Sequence, residues 1–419
     1  MQSTGERFHG LDCLRAVAMF LGIGLHAGLA YTLMRVPFWP VHDPDPSPLV
    51  DVLLLAVHDF RMQVFFVMAG FFGCLIAQRY GLIGMAKHRA LRIGVPFGLC
   101  VLLVQPTLQA LWLVGDPETL KFLGLEPPPA GVSKADLVWN HFATGAFLEY
   151  LAPFHLWFLY FLLAFFAAVT PLVRLGRTVA DWRIVRAADA FAGRLVRSPW
   201  AVPAAAAGTV PLLWTMTEWF PDTPGGWLPK PQILGYYFAF FLFGWVLYRH
   251  RDGLPDFTRG WGAMLIVANV VVFPALLYAT VEMKESDRKL DALTFPEKLA
   301  LLSGGALYTW LMIAGLIGVF EHAFARPRGW VRYLADASYW CYVMSLTPIV
   351  ALQLLLDPLP WPGLVKLAVV TVVTIAGLLA TYELFVRYTL IGVLLHGRRV
   401  RAKPVDGDVV EQAHSAARS

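Results

Sequence analysis

Apolar positions in this chain come in long blocks, not in the scattered or alternating pattern of a soluble fold. Ten blocks lie near 11–34, 50–77, 91–115, 154–173, 200–219, 232–248, 261–281, 298–320, 335–356 and 363–386. Each approaches the roughly 20 residues that an α-helix needs to cross a hydrocarbon core of about 30 Å. The pattern predicts an all-α polytopic membrane protein with about ten transmembrane helices. It predicts a single transmembrane domain over 1–395 and a basic, then disordered, cytoplasmic tail over 396–419. The first block exceeds a signal-peptide core, holds Arg15 and His26, and no small-residue cleavage site follows it. It is therefore expected to remain as the first span.

Two connections are long, 116–153 and 174–199. In the first, DPETLKFLGLEPPPAGVS is rich in turn residues, and KADLVWNHFATGAFLEY has the apolar spacing of a helix lying on the surface. In the second, TVADWRIVRAADAFAGRLVR sets Trp182, Val185 and Phe191 among arginines, the pattern of an amphipathic interfacial helix. No internal repeat and no matched pair of broken helices is visible, which speaks against the common secondary-transporter architecture.

Composition agrees with the block pattern. The chain is 58% hydrophobic and 15% charged, against about 45–50% apolar and 25% charged for a soluble protein. Charge adds an orientation. Of 34 Lys and Arg residues, 23 fall on one set of alternate connections and termini and eight on the other, while Arg15, Arg61 and Lys366 lie in or at helices. By the positive-inside rule both termini are expected in the cytoplasm, which requires an even number of spans. The net charge of +5 then faces anionic lipid and calls for no nucleic acid. Cys13, Cys74, Cys100 and Cys341 have neither disulfide nor metal-ligand spacing, so they are expected to be reduced packing residues, and no metal site is expected.

Ionisable residues inside spans are the informative exceptions, because each costs about 2.5–3.5 kcal/mol at a helix centre. Arg15 and His26 are eleven residues apart. On a helix this is about 20° past three full turns and about 16 Å along the axis, so the two share one face. Asp12 precedes Arg15 by three and can pair with it. The second block carries His58, Asp59 and Arg61 in its first turns, and its exit carries Lys87, Arg89 and Arg92. Glu149, His155 and Trp157 stand where the fourth block begins. Taken singly, Arg15 fits a snorkelling anchor, the Lys87 cluster fits ordinary positive-inside residues, and Trp157 fits an aromatic belt. His26 in mid-helix, in phase with Arg15 and joined by a second polar cluster, favours a reaction or transport site.

Several of these stretches resemble the membrane acyltransferase-3 family. They are R-AVAMFLGIGL-H (Arg15 to His26), FFVMAG with Ala69 where the family has serine, and RALR (Arg89, Arg92). LDCLRAVAMFLGIGLH, HDFRMQVFFVMAGFF, HLWFLYFLL, DASYWCYV and YELFVRY, the last with Glu383, extend the resemblance over most of the chain. It is strongest to members that succinylate osmoregulated periplasmic glucans. Many relatives carry a histidine in the ninth span where this chain has Ser345. The resemblance implies a bacterial inner-membrane enzyme, with no permanently bound cofactor, that moves an acyl group from cytoplasmic acyl-CoA (succinyl-CoA for such members) to glycan hydroxyls. On that reading His26 is the catalytic base, supported by Arg15 and Asp12. Arg15, Lys87, Arg89 and Arg92 bind the phosphates of coenzyme A. His58, Asp59, Arg61, Glu149, His155, Trp157 and Glu383 contact glycan or acyl group. The alternatives are an O-acetyltransferase of another cell-surface polysaccharide and a proton-coupled transporter or flippase.

Overall fold

The computed structural model describes residues 8–123, 131–224 and 226–396. Every regular element among the described residues is helical. Helix α1 (His9–Gly28) leads through a connector to α2 (Pro48–Arg89), which continues by a π-helical turn, Ala90–Gly94, into α3 (Val95–Val114). α4 (Lys134–Ala143) lies in the next connection, followed by α5 (Trp157–Thr178), α6 (Arg183–Val196), α7 (Ala201–Leu213) and α8 (Pro231–Arg249). The short α9 (Leu254–Phe257) and α10 (Trp261–Ile266) precede a π-helical turn, Val267–Val272, and α11 (Phe273–Glu285). α12 (Phe295–Ala323), α13 (Gly329–Met344), α14 (Leu346–Leu356), α15 (Gly363–Thr381) and α16 (Leu390–His396) complete the described chain.

Helix starts follow local chemistry. Pro48 opens α2, where a missing N–H costs nothing. The N–H of Asp136 donates to Ser133 Oγ at 3.1 Å to cap α4. At α12, Thr294 and Glu297 form a reciprocal capping box, with the Thr294 N–H donating to Glu297 at 2.7 Å. Both long connections contain the helix expected of them, α4 and α6, and Trp182, Ile184 and Phe191 are exposed beside the α6 arginines.

Each of the ten apolar blocks is helical, but they do not form ten separate helices of spanning length. Among the described residues seven helical stretches are long and apolar enough to cross a membrane, or eight when a bent pair counts as one. Pro48–Val114, 67 residues long, holds two blocks on two helices that part at a kink. Its break is Gly81, whose φ of 73° lies in the left-handed region that glycine enters without penalty. The ninth block is bent by 62° between α13 and α14, at Ser345. The fifth block yields only the 13 residues of Ala201–Leu213, since the polar, proline-bearing run after Leu213 leaves the helix. The expected tail beyond 396 lies outside the described residues.

α1 is central, packed against α2, α12, α13, α14 and α15. The most extensive pairing joins α2 to α8. It depends on two glycines, because a Cβ on Gly70 would meet the Phe241 carbonyl and a Cβ on Gly244 would meet the Val67 carbonyl, each at 1.9 Å. Small residues permit such backbone approach where lipid supplies no hydrophobic drive. Gly70→Ala is expected to lower the thermal stability of the detergent-solubilised protein by about 1–3 kcal/mol, the cost of overpacking. An unchanged melting temperature would refute the close-approach argument.

The connectors gather at two ends. Residues 32–47, 214–224, 226–230 and 357–362 share one end, which we call the His26 end. There Lys366 and Asp43, each 1% exposed, pair at 2.7 Å, and the Gly363 N–H donates to Asp45 at 2.9 Å. At the opposite, Arg15 end, Arg249 pairs with Asp189 of α6 at 2.9 Å, and Tyr248 donates to Gln78 at 3.3 Å. The four cysteines are free thiols, three of them buried.

Candidate functional site

The stripe Arg15, Met19, Gly22, His26 runs along one face of α1, and the site is built on it. At the Arg15 end a cavity of about 290 Å³ opens between α1, α2, α5 and α13. Arg15, His88, Arg89, Arg92, Asp336 and Tyr339 supply its polar wall. Met19, Phe65, Met68, Phe158, Leu162 and Phe166 line it as apolar surface. The RALR segment reaches the cavity because the chain passes through the π-helical turn at Ala90–Gly94, a distortion common at functional positions. Arg89 stacks over Phe166 with its guanidinium carbon 5.0 Å from the ring centre. Tyr339 donates to the Arg92 carbonyl at 3.3 Å, tying α13 to that turn. Arg15 pairs with Asp12 at 3.6 Å while both remain over a third exposed, a surface pair that contributes about 0–1 kcal/mol. Three guanidiniums at an apolar-walled opening suit a ligand with an anionic head and a slender remainder.

His26 sits one end of the stripe away, under an aromatic roof. Its ring stacks on Trp39 at 6.2 Å and 8°, and meets His155 edge-on at 6.5 Å and 77°. Trp39, only 2% exposed, comes from the connector over 32–47. Its indole N–H donates to Gln353 Oε1 at 2.9 Å, and Gln353 in turn donates to the Ala27 carbonyl at 2.9 Å, beside His26. Thus α14 locks both the roof and the turn of α1 that bears the histidine. His26 Nδ1 is buried and has no hydrogen-bond partner. His155 Nε2 lies 3.2 Å from the Val343 carbonyl. A carbonyl only accepts, so the neutral His155 ring donates from Nε2 and keeps a lone pair on Nδ1, which is likewise buried and unpartnered. Phe154, just before His155, has a φ of 42°, a left-handed conformation unusual for a bulky residue and most often kept where function requires it.

Arg61 lies between these two regions. Its guanidinium occupies the space a Cβ on Gly22 would fill, so it crosses the α1 stripe one turn short of His26. Arg61 is 8% exposed, no carboxylate pairs with it among the described residues, and its Nε has no partner. A buried cation without a counter-charge is costly, which suits a site that receives negative charge.

The other residues singled out from the sequence are dispersed. His58 faces a second cavity and meets Phe220 edge-on at 5.5 Å. Asp59, 1% exposed, accepts from Thr309 Oγ1 at 2.9 Å and so joins α2 to α12. Trp157 packs against Phe66, Phe161 and Tyr237 in the aromatic core. Lys87 and Glu149 are exposed and line neither cavity. Glu383 pairs with Arg387 at 2.8 Å on an exposed face. Ser345 donates to the Tyr342 carbonyl at 3.0 Å at the α13–α14 bend, and Ala69 lines the Arg15-end cavity. His88, Asp336, Tyr339, Trp39 and Gln353 escaped the sequence reading. Only His88 left a signal, as a histidine set between Lys87 and Arg89.

The family model for an acyltransferase domain, Acyl_transf_3, matches residues 8–383. Glucans biosynthesis protein C from Escherichia coli strain SMS-3-5 / SECEC is 38% identical over 91 residues, covering 22% of this chain and 23% of that protein. The proteins of the same name from Escherichia coli O9:H4 (strain HS) and O157:H7 (strain EC4115 / EHEC) match with the same identity and coverage. The matched segment thus spans about a quarter of the length of these curated relatives. No solved structure matches the chain.

Proposed function

The chain belongs to the acyltransferase-3 family, and on that premise we propose that it transfers a succinyl group from acyl-CoA at the Arg15 end to a hydroxyl of a periplasmic glucan at the His26 end. The chain then crosses the inner membrane an even number of times with both termini in the cytoplasm, in keeping with the Lys and Arg bias of the connections. The observation that carries the reading is the α1 stripe itself. It runs from a guanidinium-rimmed cavity to a histidine whose Nδ1 is buried and unpartnered.

In this mechanism Arg15, Arg89 and Arg92 hold the phosphates of coenzyme A, and the pantetheine arm spans the ~16 Å between Arg15 and His26. His26 accepts the proton of a sugar hydroxyl as that oxygen attacks the thioester carbonyl carbon. Arg61 faces the negative charge that develops on the carbonyl oxygen. Collapse of the tetrahedral species breaks the carbon–sulfur bond, and the coenzyme A thiolate takes the proton back from His26. The glucan acceptor is supported by the name of the relatives, and the succinyl assignment by the uncompensated charge of Arg61, which suits the free carboxylate of a succinyl donor.

Mass spectrometry of periplasmic and surface glycans from cells with and without the gene tests this. Succinyl esters should disappear from the glucans in its absence. Loss of acetyl groups alone would replace succinyl by acetyl, and no change in any glycan would overturn the reading in favour of a transporter.

A further inference from the structure

The aromatic roof poses a problem of access. Trp39 covers His26, Gln353 fixes Trp39, and the buried Lys366–Asp43 pair anchors the same connector. A glycan that approaches His26 along α1 from this end meets that roof first. Beside it, at the same end, lies an open cavity of about 530 Å³ lined by His58 of α2, Ile233 at the start of α8 and residues of 217–224 and 226–230. His58, one turn before Arg61 on α2, is the part of that helix that lines it, and Phe220 closes on the His58 ring. His58, with Arg61 and His155, is also among the charged or titratable neighbours of His26.

We propose that this lateral cavity, lined by His58, Thr217, Glu218, Asp222, Thr223 and Lys230, is the acceptor site, and that it binds an uncharged polyhydroxyl chain and delivers one hydroxyl past His58 to His26. The assignment rests on the proposed acyltransferase function. Two carboxylates against one lysine give the cavity a net negative charge. That is the wrong sign for a phosphate-bearing donor and the right chemistry for sugar hydroxyls, which donate to carboxylate oxygens. Asp222 is already fixed by Thr217, whose N–H and hydroxyl both donate to it, at 3.1 and 2.6 Å. Glu218 has no such fixed partner among the described residues, and partial burial together with neighbouring Asp222 raises its pKa. Its carboxyl therefore gains when a ligand hydroxyl donates to it. The Phe220 ring and the proline faces of Pro221 and Pro229 supply apolar surface for the C–H face of a sugar.

Steady-state transfer by the purified full-length protein, with succinyl-CoA and a glucan oligosaccharide, tests the site with two variants. Glu218→Gln should raise the KM for the oligosaccharide about tenfold, the loss of one charge-assisted hydrogen bond. Thr223→Trp, which fills the cavity from an exposed position, should lower kcat/KM for the oligosaccharide further. Both should leave the Kd for coenzyme A unchanged. Acceptor KM values within twofold of wild type in both variants would overturn the lateral site while wild-type transfer stands. A wild-type protein that transfers nothing to any glycan would instead overturn the function on which the site rests.

Discussion

His26→Ala is expected to lower kcat for acyl transfer by about 10²–10⁴, the usual contribution of a positioned general base. The fold should survive the change. The ring makes stacking contacts with Trp39 and His155, and its Nδ1 gives up no hydrogen bond when removed. Donor binding should also survive, because the guanidiniums that line the donor cavity lie a roughly 16 Å helix segment away. The decisive measurement pairs initial rates with coenzyme A binding by titration calorimetry on the same preparation. Near wild-type turnover with intact binding would remove His26 from the chemistry and with it the proposed mechanism.

Arg61→Gln should reduce kcat by about 10²–10³, as the loss of an oxyanion partner does in a water-excluded site. The choice of donor resolves what Arg61 does. If it faces the developing oxyanion, succinyl and acetyl transfer fall together. If it holds the succinyl carboxylate, only succinyl transfer falls. Arg61→Lys should recover part of the loss, since an ammonium keeps the charge but not the fork of donors. Stability gives an independent reading. Removing a buried cation that has no carboxylate partner should leave the melting temperature unchanged or raise it. Full activity of Arg61→Gln with both donors would show that the guanidinium takes no part.

Much of the fold is legible in the sequence because the bilayer imposes one length on every span and helical order on every backbone group within it. All ten apolar blocks are helical for that reason. What the blocks could not convey was continuity. The left-handed Gly81 kinks the stretch that holds two blocks, and Ser345 bends another, because a break in a helix depends on a few dihedral angles and not on hydropathy. The polar residues divide the same way. Arg15 and His26 share a stripe by helical phase alone, and Arg89 and Arg92 reach the cavity that Arg15 lines. Asp59 bonds Thr309, and Glu383 bonds Arg387, while Glu149 and Lys87 point elsewhere. A carboxylate in a helix has the same letter whether it ties two helices together or faces a ligand.

The sequence by itself determined the helical membrane class, the charge asymmetry between alternate connections and the Arg15–His26 axis, since each follows from composition or from the 100° step of a single helix. Only the tertiary structure decided what surrounds that axis. Trp39 and Gln353 are 314 positions apart and meet at 2.9 Å over His26. His88, Asp336 and Tyr339 close the cavity from helices far apart in the chain. Arg61 finds room only because Gly22 has no side chain. Contacts across such separations are set by how helices pack, and packing is a property of neighbouring surfaces that no single helix carries in its own sequence.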